Sequence, residues 1–281
     1  MAEFLLSAFA DEAAPDLEGQ IRALKRNGIA QMEIRNVDGR CIIDYSDREL
    51  EKIGKTLSEN GIAVSSIGSP IGKIGINEEF APHMERFGRA VSAAKVLGTK
   101  RIRMFSFFMP KGENPAAYRD EVLFRLSRLC DFAAANGVCC YHENEKGIYG
   151  DTAERALDLH RELGGSLKGI FDPANYVQCG EHPGEIFQKL SPYIQYLHVK
   201  DALLSDGSVV PAGKGDGDLK KIFSLFQGED GEKLLTVEPH LHVFGGLEKL
   251  QTEELKHCYS YPSSEEAFDA ACDSLKELLR A

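Results

Sequence analysis

Four apolar runs of this chain end in side chains that can bind a metal ion or move a proton. Residues 137–140 lead into Tyr141-His142-Glu143-Asn144-Glu145, and residues 167–171 into Asp172-Pro173-Ala174-Asn175. Residues 194–197 lead to His198, Lys200 and Asp201, and residues 234–237 to Glu238-Pro239-His240. Singly these signals are weak. A charged residue at a strand end is ordinarily solvated or paired, and His198 between Leu197 and Val199 reads first as a satisfied core histidine. Together, Glu143, Asp172, His198 and Glu238 make an oxygen and nitrogen donor set without a thiolate, which suits Mn²⁺, Mg²⁺, Co²⁺ or Zn²⁺. Carboxylates gathered this closely repel one another, and a cation is the simplest neutraliser. A divalent ion polarises a carbonyl oxygen, and two carboxylates beside it can remove and return a proton at the adjacent carbon.

Gathering these residues requires a fold that brings strand ends to one place. The apolar segments 4–9, 29–34, 62–67, 101–107, 138–141, 167–171, 194–199 and 234–237 read as eight short strands. Helical patterns follow them. Leu17, Ile21 and Leu24 recur at helical spacing before Asn27-Gly28, and Ser46-Asp47-Arg48-Glu49 is a capping box for a helix stopping at Asn60-Gly61. Further helices are expected over 77–97, from Asn114-Pro115 to Asn136, from Asp151 or Thr152 to Leu163, and over 183–190, 219–226 and 263–279. Strand-helix alternation demands parallel strands with crossover helices. Eight such units in 281 residues predict one α/β domain over 1–281, a (β/α)₈ barrel whose mouth collects the strand ends.

Composition sets outer limits. A hydrophobic fraction of 43% and a charged fraction of 27% fit a globular protein with a full core. A net charge of −11 disfavours a nucleic-acid partner, which needs a basic face. No apolar run approaches the roughly 20 residues of a membrane span, so a cytoplasmic protein with no membrane partner is expected. The seven cysteines lack CxxC spacing and read as reduced thiols.

The segments Tyr141–Gly150, Gly169–Tyr176, Tyr196–Asp201 and Thr236–His240 resemble the xylose-isomerase-like TIM-barrel superfamily, which holds sugar isomerases and epimerases and is related to apurinic endonucleases. The resemblance extends over nearly the whole chain. It implies a divalent metal, Mn²⁺ first, on Glu143, Asp172, His198 and Glu238, with Glu143 and Glu238 also serving as the acid/base pair. It implies an isomerase or epimerase of a sugar, sugar phosphate or related polyol ketone. The same chemistry leaves a dehydratase or lyase open, and after it an endonuclease-like activity or a non-catalytic sugar-binding barrel. Asn175 stands where the family's ketose epimerases place a histidine, and their arginine soon after the histidine ligand has no clear match.

Around this set, Lys73, Arg103, Asn175, Lys200 and His240 are candidates to hold a carbohydrate substrate, although Lys73 and Arg103 could equally pair with Glu33 or another carboxylate. His142 is expected to orient Glu143 from behind or to pack in the barrel, and Asp201 to partner Lys200. Gly213-Lys214-Gly215-Asp216-Gly217-Asp218 reads as a flexible rim with Asp218 capping a helix rather than as a phosphate cradle. The long loop 240–262 is a candidate lid or contact of a homo-oligomer.

Overall fold

The computed structural model describes residues 4–228, 233–242 and 259–280. Eight parallel strands close into a barrel in chain order: β1 Phe4–Ala8, β2 Gln31–Ile34, β3 Ala63–Ile67, β4 Arg101–Met104, β5 Cys139–Glu143, β6 Leu167–Phe171, β7 Ile194–Val199 and β8 Lys233–Val237. β8 pairs back onto β1, with Phe4 opposite Lys233 and Ala8 opposite Val237. Closure leaves no free sheet edge. The helices around it are α1 Leu17–Arg26, α2 Asp47–Glu59, α3 Phe80–Val96, α4 Arg119–Ala135, α5 Ala153–Leu163, α6 Pro173–Gln178, α7 Pro183–Leu190, α8 Leu219–Gln227 and α9 Ser264–Arg280. Among the described residues, no helix is long and apolar enough to cross a membrane. The expected lid or oligomer contact at 240–262 lies largely outside the described residues.

Local chemistry explains where these elements start. Ser46 and Glu49 form the reciprocal capping box expected for α2, and the Asp16 carboxylate accepts the Gly19 N–H at the head of α1. α3 begins at Phe80 rather than at residue 77, because Glu78 is held in a turn, its carboxylate accepting the Gly75 N–H at 2.7 Å. Pro115 opens a 3₁₀ turn that precedes α4, so the Asn-Pro signal marks the entry and not the helix itself.

Alternation along each strand sorts side chains into two compartments. Outward-facing residues such as Leu197, Val199, Leu235 and Val237 join the core between sheet and helices. Inside the barrel a smaller apolar plug of Tyr141, Ile170, Tyr196 and Leu234, with Leu5 beside it, fills the lower half. Above that plug the interior turns polar. The loop after β3 is carried over this region by Gly72, whose φ of +89° and closeness to the Phe105 carbonyl leave no room for a Cβ.

That loop is tied down by His83 of α3, whose Nε2 accepts the Gly72 N–H at 2.8 Å. Burial, with the Arg86 and Arg125 charges adding to it, pushes the His83 imidazole down to about 4 from 6.5. The folded chain therefore resists a proton that the unfolded chain accepts. Stability from this group is complete above about pH 6.5 and falls as pH drops toward 4. Between pH 7 and 5 the wild type should lose about 2 kcal/mol more than His83→Leu, although the variant is less stable throughout. Urea unfolding of both proteins at the two pH values tests this, and parallel losses would refute it.

Candidate metal centre and active site

The four residues singled out at the strand ends meet in the polar upper half of the barrel. Glu143 ends β5, Asp172 follows β6, His198 lies in β7 and Glu238 follows β8. All four are buried, and one donor atom from each lies within 4.8 Å of the others. His198 Nδ1 is 3.0 Å from Glu143 Oε1 and 3.5 Å from Glu238 Oε2. Asp172 serves two purposes. Its Oδ1 caps α6 by accepting the Asn175 N–H at 3.0 Å, and Pro173 follows as the first helical residue. Its Oδ2 meets the Lys200 ammonium at 2.9 Å.

These residues fit a divalent ion. Three carboxylates and one imidazole make a hard, oxygen-rich set. Two of the inward oxygens, Glu143 Oε2 and Asp172 Oδ2, are met by charged groups, Arg103 at 3.2 Å and Lys200 at 2.9 Å, in a buried site where carboxylates require a positive neighbour. A second convergence, Glu12 with Glu238 and His240, is less suited to an ion. The Arg35 guanidinium already stands there, 3.1 Å from Glu12 and 3.3 Å from Glu238.

The electrostatics follow from burial. Burial pushes Asp172 up to about 7, with Lys200 opposing and Glu238 and Glu143 adding to the rise. Burial also lifts Glu12 to about 8, against the pull of Arg35. For Glu143 burial acts upward too, but the nearby His198 and Arg103 charges outweigh it and hold the carboxylate below its ordinary value. Glu238 is likewise held well below, because Lys200, His240 and His198 together outweigh its burial. Glu143 and Glu238 are thus charged carboxylates in a nearly dry site.

The cleft above them has a volume of about 260 Å³, and its lining includes Lys73, Arg103, Asn175, Lys200 and His240. Arg103 Nη1 meets Glu143 at 3.2 Å and Glu238 at 3.8 Å, so the pairing with a carboxylate is what the structure places there. Lys200 bridges Asp172 and Glu238 at 2.9 and 3.1 Å. The Asn175 amide lies 3.4 Å from Glu143, and His240 has a left-handed backbone with φ +46° beside Glu12 and Glu238. Lys73 pairs with Glu145 at 2.7 Å and lies over the Phe105 ring.

Three expectations are corrected. His142 does not support Glu143, because adjacent residues of a strand face opposite sides. It points outward, where Nε2 meets Ser106 Oγ at 3.0 Å and the ring packs on Gly150. Asp201 is not the partner of Lys200. Its carboxylate accepts the backbone N–H groups of Gly213, Gly215 and Gly217 at 2.9, 3.0 and 2.9 Å. The glycine-rich loop is therefore an anion cradle filled by the chain's own carboxylate and not a loose rim. Asp218 does not cap α8 through its side chain and sits in a left-handed conformation with φ +55°.

Several further residues of the site lie outside the set read from the strand ends. Arg35 pairs with Asp11 at 2.9 Å as well as with Glu12 and Glu238, and its guanidinium and that of Arg103 both lie over the Phe9 ring, at 4.5 and 4.9 Å. Asn144 clamps the backbone of Asp172, donating to its carbonyl and accepting its N–H, both at 3.0 Å. The available signal was the two-residue spacing of Glu33 and Arg35, which places both on the inner face once the strand's phase is known.

The profile of the family described as xylose isomerase-like TIM barrel matches residues 21–278. The chain is 25% identical to a 3-dehydroshikimate dehydratase of Bacillus anthracis over 181 residues, 64% of this chain and 64% of that relative's length. A crystal structure of the probable 3-DHS dehydratase AsbF from Bacillus anthracis superposes with a TM-score of 0.75 at 16% identity, covering 98% of this chain and 99% of the other. The IOLI protein solved with a bound zinc atom superposes with a TM-score of 0.72 at 16% identity, covering 98% of each chain. With the profile running through the barrel and its donor-bearing strand ends, the chain belongs to the xylose isomerase-like TIM barrel family.

Proposed function

We propose that the chain is a divalent-metal-dependent isomerase or epimerase of a sugar, sugar phosphate or related polyol ketone. One observation carries this reading. Two charged carboxylates, Glu143 and Glu238, come from strands separated by two others and converge on His198 Nδ1 in one cleft. An ion held by Glu143, Asp172, His198 and Glu238 would act as a Lewis acid, drawing charge from a carbonyl oxygen and acidifying the neighbouring C–H. Glu143, ionised beside the Arg103 guanidinium at 3.2 Å, is the deprotonated base that removes that proton. Glu238, ionised at rest, relays a proton to carbon from the Lys200 ammonium 3.1 Å away, and the proton held by Glu143 returns to Lys200 through solvent to reset the site. Delivery to the opposite face of the same carbon inverts it, and delivery to the adjacent carbon moves the carbonyl. Arg103 and Lys200 keep the two carboxylates ionised, while Lys73, Asn175 and His240 at the cleft supply donors for substrate hydroxyls.

The similarity to a 3-dehydroshikimate dehydratase favours one second reading, loss of water from a keto-polyol. The first step is the same: the C–H proton passes to Glu143. The electron pair then forms a C=C bond as the C–O bond to a β-hydroxyl breaks. The leaving oxygen takes a proton from the Lys200 ammonium and departs as water.

Three outcomes test these readings. Mn²⁺ at about a hundredfold excess over Kd should stabilise the wild type by about 2.7 kcal/mol, raising Tm by roughly 5 °C, and Asp172→Asn should lose that gain. Scanning calorimetry with and without EDTA reads it, and equal Tm values would count against a metal centre. In D₂O the Mn²⁺-loaded protein should exchange the proton beside the carbonyl of its substrate. Glu143→Gln and Glu238→Gln should each slow exchange about 10²- to 10⁴-fold, and wild-type rates by NMR in both would remove the acid/base assignment. A conjugated product absorbing in the ultraviolet, with no epimer or isomer formed, would select the dehydratase.

A further inference from the structure

The polar interior reaches one layer below the four donors, to a carboxylate that the proposed reaction does not use. Glu33 of β2 is fully buried in the barrel. Its Oε2 lies 3.2 Å from His198 Nε2, on the side of the ring turned away from Glu143 and Glu238. Its Oε1 accepts the Tyr196 hydroxyl at 3.0 Å, and that hydroxyl is 3.3 Å from Ser66 Oγ. Tyr196 also belongs to the apolar plug, so this carboxylate is anchored from beneath by the packed floor of the barrel.

Two irregularities in the sheet create this contact. Pairing of β2 with β3 steps from Met32 opposite Val64 to Glu33 opposite Ser66, leaving one extra residue on β3. Pairing of β6 with β7 steps from Gly169 opposite Ile194 to Ile170 opposite Tyr196, leaving one extra residue on β7. Bulges of this kind re-aim side chains near functional sites. Here they set Glu33, Ser66 and Tyr196 in one inward cluster. The His198 ring is held on its flanks as well, edge-to-face with Phe9 at 5.2 Å and tilted against Tyr196 at 5.6 Å.

We infer that Glu33 is the positioning residue of the metal centre: it fixes the orientation and tautomer of His198 so that Nδ1 presents a lone pair to the ion. This inference rests on the metal-dependent reading above. A neutral imidazole has one N–H and one acceptor nitrogen. Glu33, which can only accept when ionised, takes the N–H at Nε2 and leaves Nδ1 for coordination. A carboxylate behind a ligating histidine also makes the imidazole a stronger donor, and losing such a partner typically costs 10- to 100-fold in metal affinity. Glu33 is not among the residues that line the cleft and acts through His198 rather than on a substrate.

Glu33→Gln keeps a hydrogen-bond acceptor at the site but removes the charge. Titration of Zn²⁺ against a chromophoric chelator should show a 10- to 100-fold weaker Kd for this variant, with an unchanged circular dichroism spectrum, and Glu33→Asp should recover part of the loss. In Zn²⁺-loaded wild type, long-range ¹H–¹⁵N NMR of the His198 ring should show Nδ1 metallated and Nε2 protonated. That measurement stands alone if the variants fail to fold. Equal Zn²⁺ affinity in wild type and Glu33→Gln, or metallation through Nε2, would overturn the inference while leaving the metal centre in place. Absence of Zn²⁺ binding by the wild type would overturn both.

Discussion

The mouth of the barrel gathers more negative charge than its own basic side chains balance. Asp11, Glu12, Glu33, Glu143, Asp172 and Glu238 are buried there against Arg35, Arg103, Lys200 and a His198 imidazole that Glu143 and Glu33 hold well above its ordinary pKa despite burial, and the Lys73–Glu145 pair at the cleft adds no net charge. Water is largely excluded, so the imbalance must be relieved by protonation or by a bound ion. The rise of Asp172 to about 7 and of Glu12 to about 8 is relief of the first kind. A dication among the donors would give relief of the second kind. The remaining architecture follows from this one constraint: two guanidinium groups packed over the Phe9 ring, an ammonium set between the Asp172 and Glu238 carboxylates, and a histidine turned between Glu33 and Glu143.

Architecture and donor set were legible in the sequence because both depend on short-range pattern. Apolar runs ending in polar clusters, with caps and glycine stops between, report a strand-helix repeat directly. The bounds of β6, β7 and α7 agree with the sequence expectation to the residue. The phase of each strand was not legible, because barrel closure decides which alternate residues face inward. Hence His142 and Glu143, adjacent and both polar, part company across the sheet. Glu33 was hidden for a related reason: a single acid within an apolar strand means little until a bulge brings it opposite Ser66 and beneath His198. Asp201 shows a third limit. Its partners are backbone amides of glycines twelve and more residues away, which no charge-pairing rule picks out.

A fold of this kind separates the parts that perform chemistry from the parts that choose what enters. The donors and Glu33 stand on strands or one residue past them, in positions fixed by the sheet. Lys73, Phe105 and His240 belong to loops over the cleft, where a change of substrate would be accommodated. Enolisation is common to isomerisation, epimerisation and dehydration.

The Asp201 cradle has a consequence for how such an enzyme can change over time. The chain leaves Lys200, turns through a short hairpin pairing Asp201–Ala202 with Val209–Val210, and is then fastened back to Asp201 by three glycine amides. That knot isolates the lysine from the excursion beyond it. Insertions or drift between residues 203 and 208 can accumulate without shifting the ammonium, whereas replacing Gly215 or Gly217 would drive a Cβ into the Asp201 carboxylate. Variation is thereby channelled to the outer segment, so new surface can be tried there while the reactive geometry is inherited unchanged.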